Sequence, residues 1–430
     1  MERRLFVYLD LAGRPFLVGR LWMRARKGNE SATFEYDRQW LAHPSRFSLE
    51  PALKLGPGPH HTPAGRALFG ALGDSAPDRW GRVLMRRAER RRAEQQKSQP
   101  RTLTEADFLI MVDDEARVGA LRFSESEGGP LDSIGAGGFR IPPFIELPRL
   151  LSATERVLNE KESDEDLRLL LAPGSSLGGA RPKAAVRDRD GTLAIAKFPQ
   201  KTDEVRAVLW EAVALELAAK AGIPVPASRL ETIAGKSVLI LRRFDRAGAL
   251  RIPFLSAMSM LGAADHDPAH SYLEIADSLR QHGAESKADL RQLWRRIVFN
   301  ILISNTDDHL RNHAFLYEGD RGWRLSPAYD LNPVPVEFKP RVLSTLITED
   351  DGTASMELAF EVAAYFAVLP ADARKIAAEV TRAVKQWRKA AAKVGLRKNE
   401  MDRMASAFEP PSASRAAAAP HASRPAHKTP

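Results

Sequence analysis

Short apolar runs separated by polar turns begin the chain and predict antiparallel strands. Residues 4–11 and 16–23 are dominated by aliphatic and aromatic side chains, and a turn containing Gly13 lies between them. A third run of this kind covers residues 32–36. Such runs, bounded by turn residues, are typical of strands, so we expect a small β-rich region at the amino terminus.

Helical spacing of apolar residues follows this region. A helix beginning near residue 77 places Trp80 and Leu84 on one side, and it ends in a strongly basic stretch over residues 86–92. That stretch fits a solvated helix face, or a surface for an acidic partner or for DNA phosphates. Thr104 is placed to cap a second helix.

The middle and end of the chain divide by composition and periodicity. Residues 124–144 are rich in Gly, Ser and Pro and indicate a linker or hairpin. Helical spacing returns over residues 147–171, and two paired strands, a helix and a further strand are predicted at residues 183–186, 192–198, 203–221 and 236–242. Residues 254–408 are mostly helical in pattern, most clearly at 371–393, and the last twenty residues have the composition of a disordered tail.

Composition narrows the class of protein. The formal charge of the 430 residues is +9, and Arg415, Arg424 and Lys428 in the tail leave only +6 for the rest. That excess does not by itself indicate nucleic-acid binding. The absence of cysteine excludes disulfides and thiolate metal sites. We expect a cytoplasmic protein without a membrane partner, because the sequence shows neither a signal peptide nor an apolar run long enough to span a bilayer.

One polar loop between two apolar runs has the residues of phosphoryl-transfer chemistry. In NILISNTDDHLRNHAFLY, Asp307 and Asn312 have the D-x-x-x-x-N spacing of a protein-kinase catalytic loop. Asp330 follows downstream, Lys197 lies upstream in an apolar run, and GSSLGGARPKAAV supplies a glycine-rich turn further upstream. Phosphoryl transfer needs a loop and a lysine on the phosphates, oxygen ligands on Mg²⁺, and an aspartate facing the acceptor hydroxyl. These parts occur in the expected order.

Several assignments within this set have rivals. A lysine inside a buried strand needs an anionic partner, and Glu211 on the apolar face of the predicted helix is preferred to Glu216. Asp308 competes with Asp307 for the role of catalytic base, and the offset to Asn312 favours Asp307.

A different class of site would use the histidines of the same loop. His309 and His313 are four positions apart, so a helix would bring them together as ligands of a transition-metal hydrolase. That interpretation leaves the glycine-rich turn and Lys197 without a role. For His313, a structural role that satisfies loop carbonyl groups is preferred.

The whole pattern resembles the HipA-type serine/threonine kinases, the toxin half of bacterial toxin–antitoxin pairs. The segments that resemble this family's glycine-rich loop, ATP lysine segment, hinge, catalytic loop and metal-binding segment are SSLGGARPKA, AIAKFP, RRFDR, TDDHLRN and PAYDLNP. VYLDLAGRPFLVGRL and FGALGDSAPDRWGRVL resemble the family's amino-terminal domain. Two departures are Arg242, where family members often have Glu, and the pair Arg181–Pro182.

This resemblance implies a fold and a domain division. The expected fold is α+β and bilobal like a protein kinase, with a β-rich amino-terminal domain and a mostly helical carboxy-terminal lobe. The expected parts are the amino-terminal domain, a linker, the ATP-binding lobe, the helical catalytic lobe and a disordered tail, at residues 1–125, 126–145, 146–245, 246–408 and 409–430.

The resemblance also implies the site residues and partners. Asp307 is expected to be the catalytic base, Asn312 and Asp330 the Mg²⁺ ligands, and Ser176 (or the adjacent Ser175) an autophosphorylation site that switches the enzyme off. The residues expected to bind ATP are Gly178, Gly179, Ala180, Lys183, Lys197, Arg242, Phe244, His309, Asn312 and Tyr329. Expected partners are a protein substrate, for which an aminoacyl-tRNA synthetase is the family's association, and a DNA-binding antitoxin that makes the only contact with DNA.

Two other functions fit the same residues. A catalytically silent kinase fold could act only as an antitoxin-bound co-repressor on DNA, and a kinase of small molecules would use the same groups. Lys197, Asp307, Asn312 and Asp330 are all present, which favours an active enzyme. The large amino-terminal region favours a protein acceptor.

Overall fold

An antiparallel five-stranded sheet forms the amino-terminal region of the computed structural model, which describes residues 2–26, 28–131, 141–171, 179 and 181–409. Its order is β4-β3-β2-β1-β5, and the strands are Glu2–Leu11 (β1), Arg14–Arg26 (β2), Asn29–Tyr36 (β3), Pro59–His61 (β4) and Leu121–Ser124 (β5). Ala12 and Gly13 form the β1–β2 turn with φ of 52° and 86°. Gly13 N donates to Asp10 Oδ1 at 2.8 Å, so the turn is fixed by the residue that precedes it.

Four helices belong to this part of the chain, and polar caps determine where three of them begin. They are Arg38–Ala42 (α1), Gly70–Asp74 (α2), Arg79–Gln95 (α3) and Glu105–Met111 (α4). Asp37, Asp78 and Thr104 accept hydrogen bonds from the first turns of α1, α3 and α4, and Thr104 completes a capping box as its position in the sequence predicted.

The basic stretch of α3 is largely engaged within the chain. Arg87 donates to Glu162 at 2.8 Å, Arg92 to Glu89 at 2.6 Å and Arg91 to Glu94 at 3.2 Å. These ion pairs favour the interpretation of a solvated helix face over a surface for nucleic acid.

The second region has the layout of a kinase small lobe. Two helices, Leu147–Leu158 (α5) and Asp164–Leu171 (α6), precede a four-stranded antiparallel sheet of order β6-β7-β9-β8. Its strands are Lys183–Arg187 (β6), Leu193–Lys197 (β7), Ser228–Ile233 (β8) and Lys236–Arg242 (β9). The helix Ala207–Lys220 (α7) connects β7 to β8. The helix predicted from residue 203 begins at Ala207, because Asp203 instead accepts hydrogen bonds from Arg181 and from Gln200 N.

The third region is mostly helical, as predicted. Its short strands are Arg246–Ala247 (β10), Leu250–Arg251 (β11), Phe254–Ser256 (β12), Ala314–Tyr317 (β13) and Trp323–Leu325 (β14). Its helices are Ala257–Met260 (α8), Tyr272–His282 (α9), Ser286–Leu302 (α10), Met356–Glu361 (α11), Pro370–Val384 (α12), Trp387–Lys393 (α13), Lys398–Arg403 (α14) and Ala405–Phe408 (α15). The single helix expected over 371–393 is therefore two helices. Trp387 stacks on Phe408 with ring centroids 4.7 Å apart and packs near Trp210 of α7. This contact joins the last of the described residues to the small lobe.

The amino-terminal region contacts both kinase-like lobes. Asp74 accepts hydrogen bonds from Ser256 N at 2.7 Å and from Ser256 Oγ at 2.8 Å. Arg243, just after β9, donates to the carbonyl oxygens of Ala116 and Arg117, and Asp245 accepts from Gly119 N. Within the described ranges, every helix is too short or too polar to cross a lipid bilayer. The fold class is α+β and kinase-like, as expected, while the predicted tail lies almost wholly outside the described residues.

Candidate active site

The predicted catalytic loop connects α10 to β13 in a fixed, partly left-handed conformation. Ser304 is fully buried and has φ of 50°, a conformation that a residue with a Cβ atom adopts only when its surroundings enforce it. Its Oγ donates to Ala407 O at 2.9 Å, and Asn305 Nδ2 donates to Asn300 Oδ1 at 3.1 Å. These bonds connect the start of the loop to the helix before it and to the end of the described chain.

Asp307 and Asn312 lie together within this loop. Asp307 is exposed, and its carbonyl oxygen accepts a hydrogen bond from Asn312 Nδ2 at 2.9 Å. Because the amide nitrogen of Asn312 is used in this bond, its amide oxygen points away from that carbonyl group. The carboxylate of Asp307 is exposed and can face an acceptor, and the amide oxygen of Asn312 is not used in this bond.

The neighbouring Asp308 has a different environment. Its side chain is 1% exposed, and it accepts hydrogen bonds from Tyr272 OH and from Ser344 N, the latter at 2.9 Å. Thr345 Oγ1 donates to the carbonyl oxygen of Asp308 at 2.7 Å. Burial raises the pKa of Asp308 to about 7 despite these hydrogen bonds. Asp308 therefore holds the loop in place. Its hydrogen-bond partners are distant in the sequence, so no local sequence pattern could predict them.

The predicted phosphate-binding lysine connects the two kinase-like lobes. Lys197 Nζ lies 2.6 Å from Glu211 Oε1 and 2.7 Å from Asp330 Oδ1. Burial disfavours the Lys197 ammonium, but the charges of Asp330 and Glu211 outweigh burial and raise its pKa. Glu211 is thus the partner of Lys197, as expected, whereas Glu216 pairs with Lys220 and Lys393 on the surface.

Asp330 is held in an uncommon conformation at this junction. Its φ is 57°, and Asn332 Nδ2 donates to its carbonyl oxygen at 3.0 Å. Burial alone would raise the pKa of its carboxyl group, yet the attraction of Lys197 lowers that pKa well below the usual range. The group is therefore a carboxylate throughout the physiological pH range.

The second predicted phosphate lysine lies directly opposite the first. Lys183 of β6 is the register partner of Lys197 in β7, and Lys183 Nζ lies 3.3 Å from Asp78 of the amino-terminal region. Gly179 has φ of 84°, and a methyl group added there would lie 3.1 Å from Lys183 Nζ. The predicted residues Ser176, Gly178 and Ala180 lie outside the described residues.

The hinge residues form one wall near this site. Phe244 packs against Tyr329 with ring centroids 5.4 Å apart, and Tyr329 OH donates to Arg311 O at 2.7 Å. Arg242 ends β9 and is exposed. An aromatic wall of this kind suits a nucleotide base.

The histidines of the loop do not form the alternative metal site. His309 and His313 flank a short 3-10 helix, Leu310–Asn312, rather than sharing one face of an α-helix. His313 is buried, its Nε2 lies 3.3 Å from Asp308 O, and burial lowers its pKa to about 3. Among the described residues no three His, Asp or Glu side chains are grouped to hold a metal ion. His313 has the structural role that was preferred for it.

His309 differs from His313 because it faces the charged side of the loop. It is half-buried, and its positive form would contribute to the low pKa of Asp330. Its Nδ1 is buried without a hydrogen-bond partner among the described residues. An unpaired buried polar atom at this position fits a site that receives a polar ligand.

The donor set at the junction suits Mg²⁺ bound together with phosphate. Asp330 offers a carboxylate and Asn312 an amide oxygen, and hard cations prefer such oxygen ligands. Mg²⁺ usually takes only one or two protein ligands and completes its shell with phosphate and water. These two residues therefore have the donor chemistry that this ion requires.

Comparisons with known proteins agree with this architecture. A family model described as the HipA-like C-terminal domain matches residues 175–388, and one described as the HipA N-terminal domain matches residues 12–124. A protein of Haemophilus influenzae named "Putative kinase" is 30% identical over 160 residues, covering 32% of this chain and 46% of that protein. "Putative kinase Y4mE" of Sinorhizobium fredii is 27% identical over 249 residues, covering 52% of this chain and 53% of that protein. The chain thus spans about half the length of these curated relatives.

A solved structure matches along nearly the whole chain. HipA of Shewanella oneidensis MR-1, in a complex with HipB and its operator DNA, aligns with a TM-score of 0.64 at 18% identity over 94% of this chain and 95% of that one. At this identity the match shows the fold. Since both HipA domain models match in the same order as the regions of this fold, the chain belongs to the HipA family.

Proposed function

We propose that this chain is a serine/threonine-protein kinase that transfers the γ-phosphate of ATP to a hydroxyl group of a protein. The observation that carries the proposal is the position of Lys197 Nζ, 2.6 Å from Glu211 and 2.7 Å from Asp330. It brings the predicted phosphate-binding and metal-binding groups side by side, although 133 residues separate Lys197 from Asp330. Catalysis of phosphoryl transfer depends on such positioning and on electrostatic stabilisation.

Each side chain has a role in this proposal. Phe244 and Tyr329 contact the nucleotide base, while Lys183 and Lys197 neutralise the phosphates from adjacent strands. Glu211 would keep Lys197 charged and oriented when Asp330 serves as a ligand of the metal ion.

Asn312 and Asp330 would hold Mg²⁺, which neutralises charge on the phosphate oxygens when bound. Asp307 accepts the proton of the acceptor hydroxyl as that oxygen attacks the γ-phosphorus and the bond to ADP breaks. The Asn312–Asp307 hydrogen bond of 2.9 Å keeps the base at a fixed position relative to the metal ligand.

The regulation that we propose follows the family. The similar Shewanella protein is in a complex with HipB and operator DNA, and we propose that a DNA-binding antitoxin neutralises this chain and makes the contact with DNA. We also propose that autophosphorylation of Ser176, which precedes Gly179 by three positions in the sequence, adds about −2 charge and lowers the affinity for ATP. An aminoacyl-tRNA synthetase is the first acceptor to test.

The function is tested by transfer of labelled phosphate from ATP·Mg²⁺ to proteins of a bacterial lysate, followed by mass spectrometry of the labelled products. Glu211→Gln is expected to lower transfer at least tenfold, since a positioned charge is lost. Glu216→Gln on the same helix is the matched control and should transfer normally, because Glu216 only pairs with Lys220 and Lys393. A wild-type chain that neither binds ATP nor transfers phosphate would refute the proposal.

The proposed self-inhibition has its own test. The native chain preincubated with ATP·Mg²⁺ should lose activity as one phosphate accumulates on Ser176, whereas Ser176→Ala should keep it. Mass spectrometry distinguishes Ser176 from Ser175. Equal rates of inactivation in both proteins would place the switch elsewhere.

A further inference from the structure

A carboxylate of the amino-terminal region reaches the proposed phosphate site. Asp78 lies before α3, and its Oδ1 accepts a hydrogen bond from Gly81 N at 2.7 Å as the helix cap. Its Oδ2 lies 3.3 Å from Lys183 Nζ, a residue 105 positions further along the chain. One carboxylate therefore begins a helix and binds a lysine of another region.

The same helix start also holds the main chain of Lys183. Trp80 Nε1 donates to Lys183 O at 3.1 Å, and the Trp80 ring is buried in the core of the small lobe. Asp78 cannot rotate away from Lys183 without losing the cap bond to Gly81. The position of the Lys183 ammonium is therefore determined from the amino-terminal region.

The position of Lys183 opposite another lysine explains why its ammonium group needs a partner of opposite charge. Lys183 and Lys197 are direct register partners, and like charges directly opposite each other on neighbouring strands are destabilising. Lys197 has Glu211 and Asp330 as partners, and Asp78 is a carboxylate partner of Lys183. The side chains of Asp78 and Lys183 are 5% and 3% exposed, so forming the pair removes both charges from water at a cost in free energy.

We propose that Asp78 is a positioning residue for nucleotide binding, which holds the Lys183 ammonium against Gly179 where the phosphates of ATP arrive. The inference rests on the proposed ATP site. Burial lowers the pKa of Lys183, and the charge of Asp78 opposes this effect by favouring the ammonium form. The amino-terminal region thereby becomes part of the nucleotide site.

The key variant is Asp78→Asn, because asparagine caps a helix as well as aspartate but has no charge for Lys183. Asp78→Ser, a second uncharged cap, guards against a defect specific to asparagine. Asp37→Asn is the matched control, since Asp37 is also a buried helix cap with an arginine partner, Arg20 at 2.9 Å, and lies in the amino-terminal sheet region.

Calorimetric titrations with ATP·Mg²⁺ and with adenosine separate positioning from folding. Both Asp78 variants should bind ATP about tenfold more weakly while their affinity for adenosine is unchanged, because only the phosphates meet Lys183. In a Lys183→Gln background, Asp78→Asn should cause no further loss of ATP affinity. A structural role would weaken both ligands, or act equally in both backgrounds, and would overturn the inference.

The remaining outcomes are also decisive. ATP binding by Asp78→Asn that equals or exceeds wild-type binding refutes the positioning role alone, because the ATP site itself is then intact. A wild-type chain that does not bind ATP refutes the proposed function and this inference together. Asp37→Asn should bind both ligands like the wild type.

Discussion

Two adjacent aspartates of the predicted catalytic loop, Asp307 and Asp308, allow a test that separates a catalytic role from a structural role. Asp307 is exposed, whereas Asp308 is 1% exposed and accepts hydrogen bonds from Tyr272 OH and Ser344 N. Asp307→Asn is expected to lower kcat by about 10²–10⁴, the usual contribution of a general base. The same change should alter the free energy of unfolding by less than about 0.5 kcal/mol, since the side chain is at the surface.

Asp308→Ala, by contrast, should lower the stability of the protein as well as its activity. It removes the acceptor of the Tyr272 hydroxyl, which is fully buried, and that of Ser344 N, which is half-buried. A buried donor left unsatisfied costs about 1–3 kcal/mol, and water can partly replace the bond at Ser344, so we expect a loss of about 2–4 kcal/mol in the free energy of unfolding. The loop would also lose its fixed position, so activity falls together with stability.

Urea unfolding, calorimetric ATP titration and single-turnover transfer of labelled phosphate measure the two profiles on the same preparations. Asp307→Asn should bind ATP·Mg²⁺ with nearly wild-type affinity, because the base contacts the acceptor and not the nucleotide. Wild-type turnover by Asp307→Asn would refute the assignment of the base. Unchanged stability of Asp308→Ala would show that its hydrogen bonds do not hold the loop.

Three further predictions follow from single contacts. Asp330→Ala should remove the Mg²⁺ dependence of ATP affinity, which titrations with and without the ion would show, whereas Asp307→Asn should keep it. Burial raises the pKa of Asp308 from 3.8 to about 7. Between these two pH values the native state keeps a proton that the unfolded state has released, so the free energy of unfolding falls as the pH rises through this range. Asp308→Asn should therefore reduce the fall in the free energy of unfolding between pH 5 and pH 8, with urea unfolding as the measurement and an unchanged slope as the contrary result. Trp387→Ala should cost about 3–5 kcal/mol, measured in the same way, because the buried ring stacks on Phe408; a loss below 1 kcal/mol would contradict this.

Much of the site was predictable because its signals are local. Asp307 and Asn312 are joined by a hydrogen bond across five positions, and this contact follows from their spacing in one loop. Lys197 in a buried strand required an acid, and the helical periodicity favoured Glu211 over Glu216 correctly. The alternative metal site, which was not preferred, required His309 and His313 on one face of an α-helix, and the loop forms a single 3-10 helix there instead.

Tertiary structure decided what the spacing of residues along the chain could not. The sequence by itself determined the order of the elements and their caps, because apolar periodicity and hydrogen bonds to neighbouring residues act over a few positions. The pairs Lys197–Asp330 and Lys183–Asp78 join residues 133 and 105 positions apart, and no local pattern encodes such a contact. Asp78 looks like an ordinary helix cap in the sequence. Only the packing of the amino-terminal region against β6, which excludes water from both charges, makes it the partner of a lysine in the proposed nucleotide site.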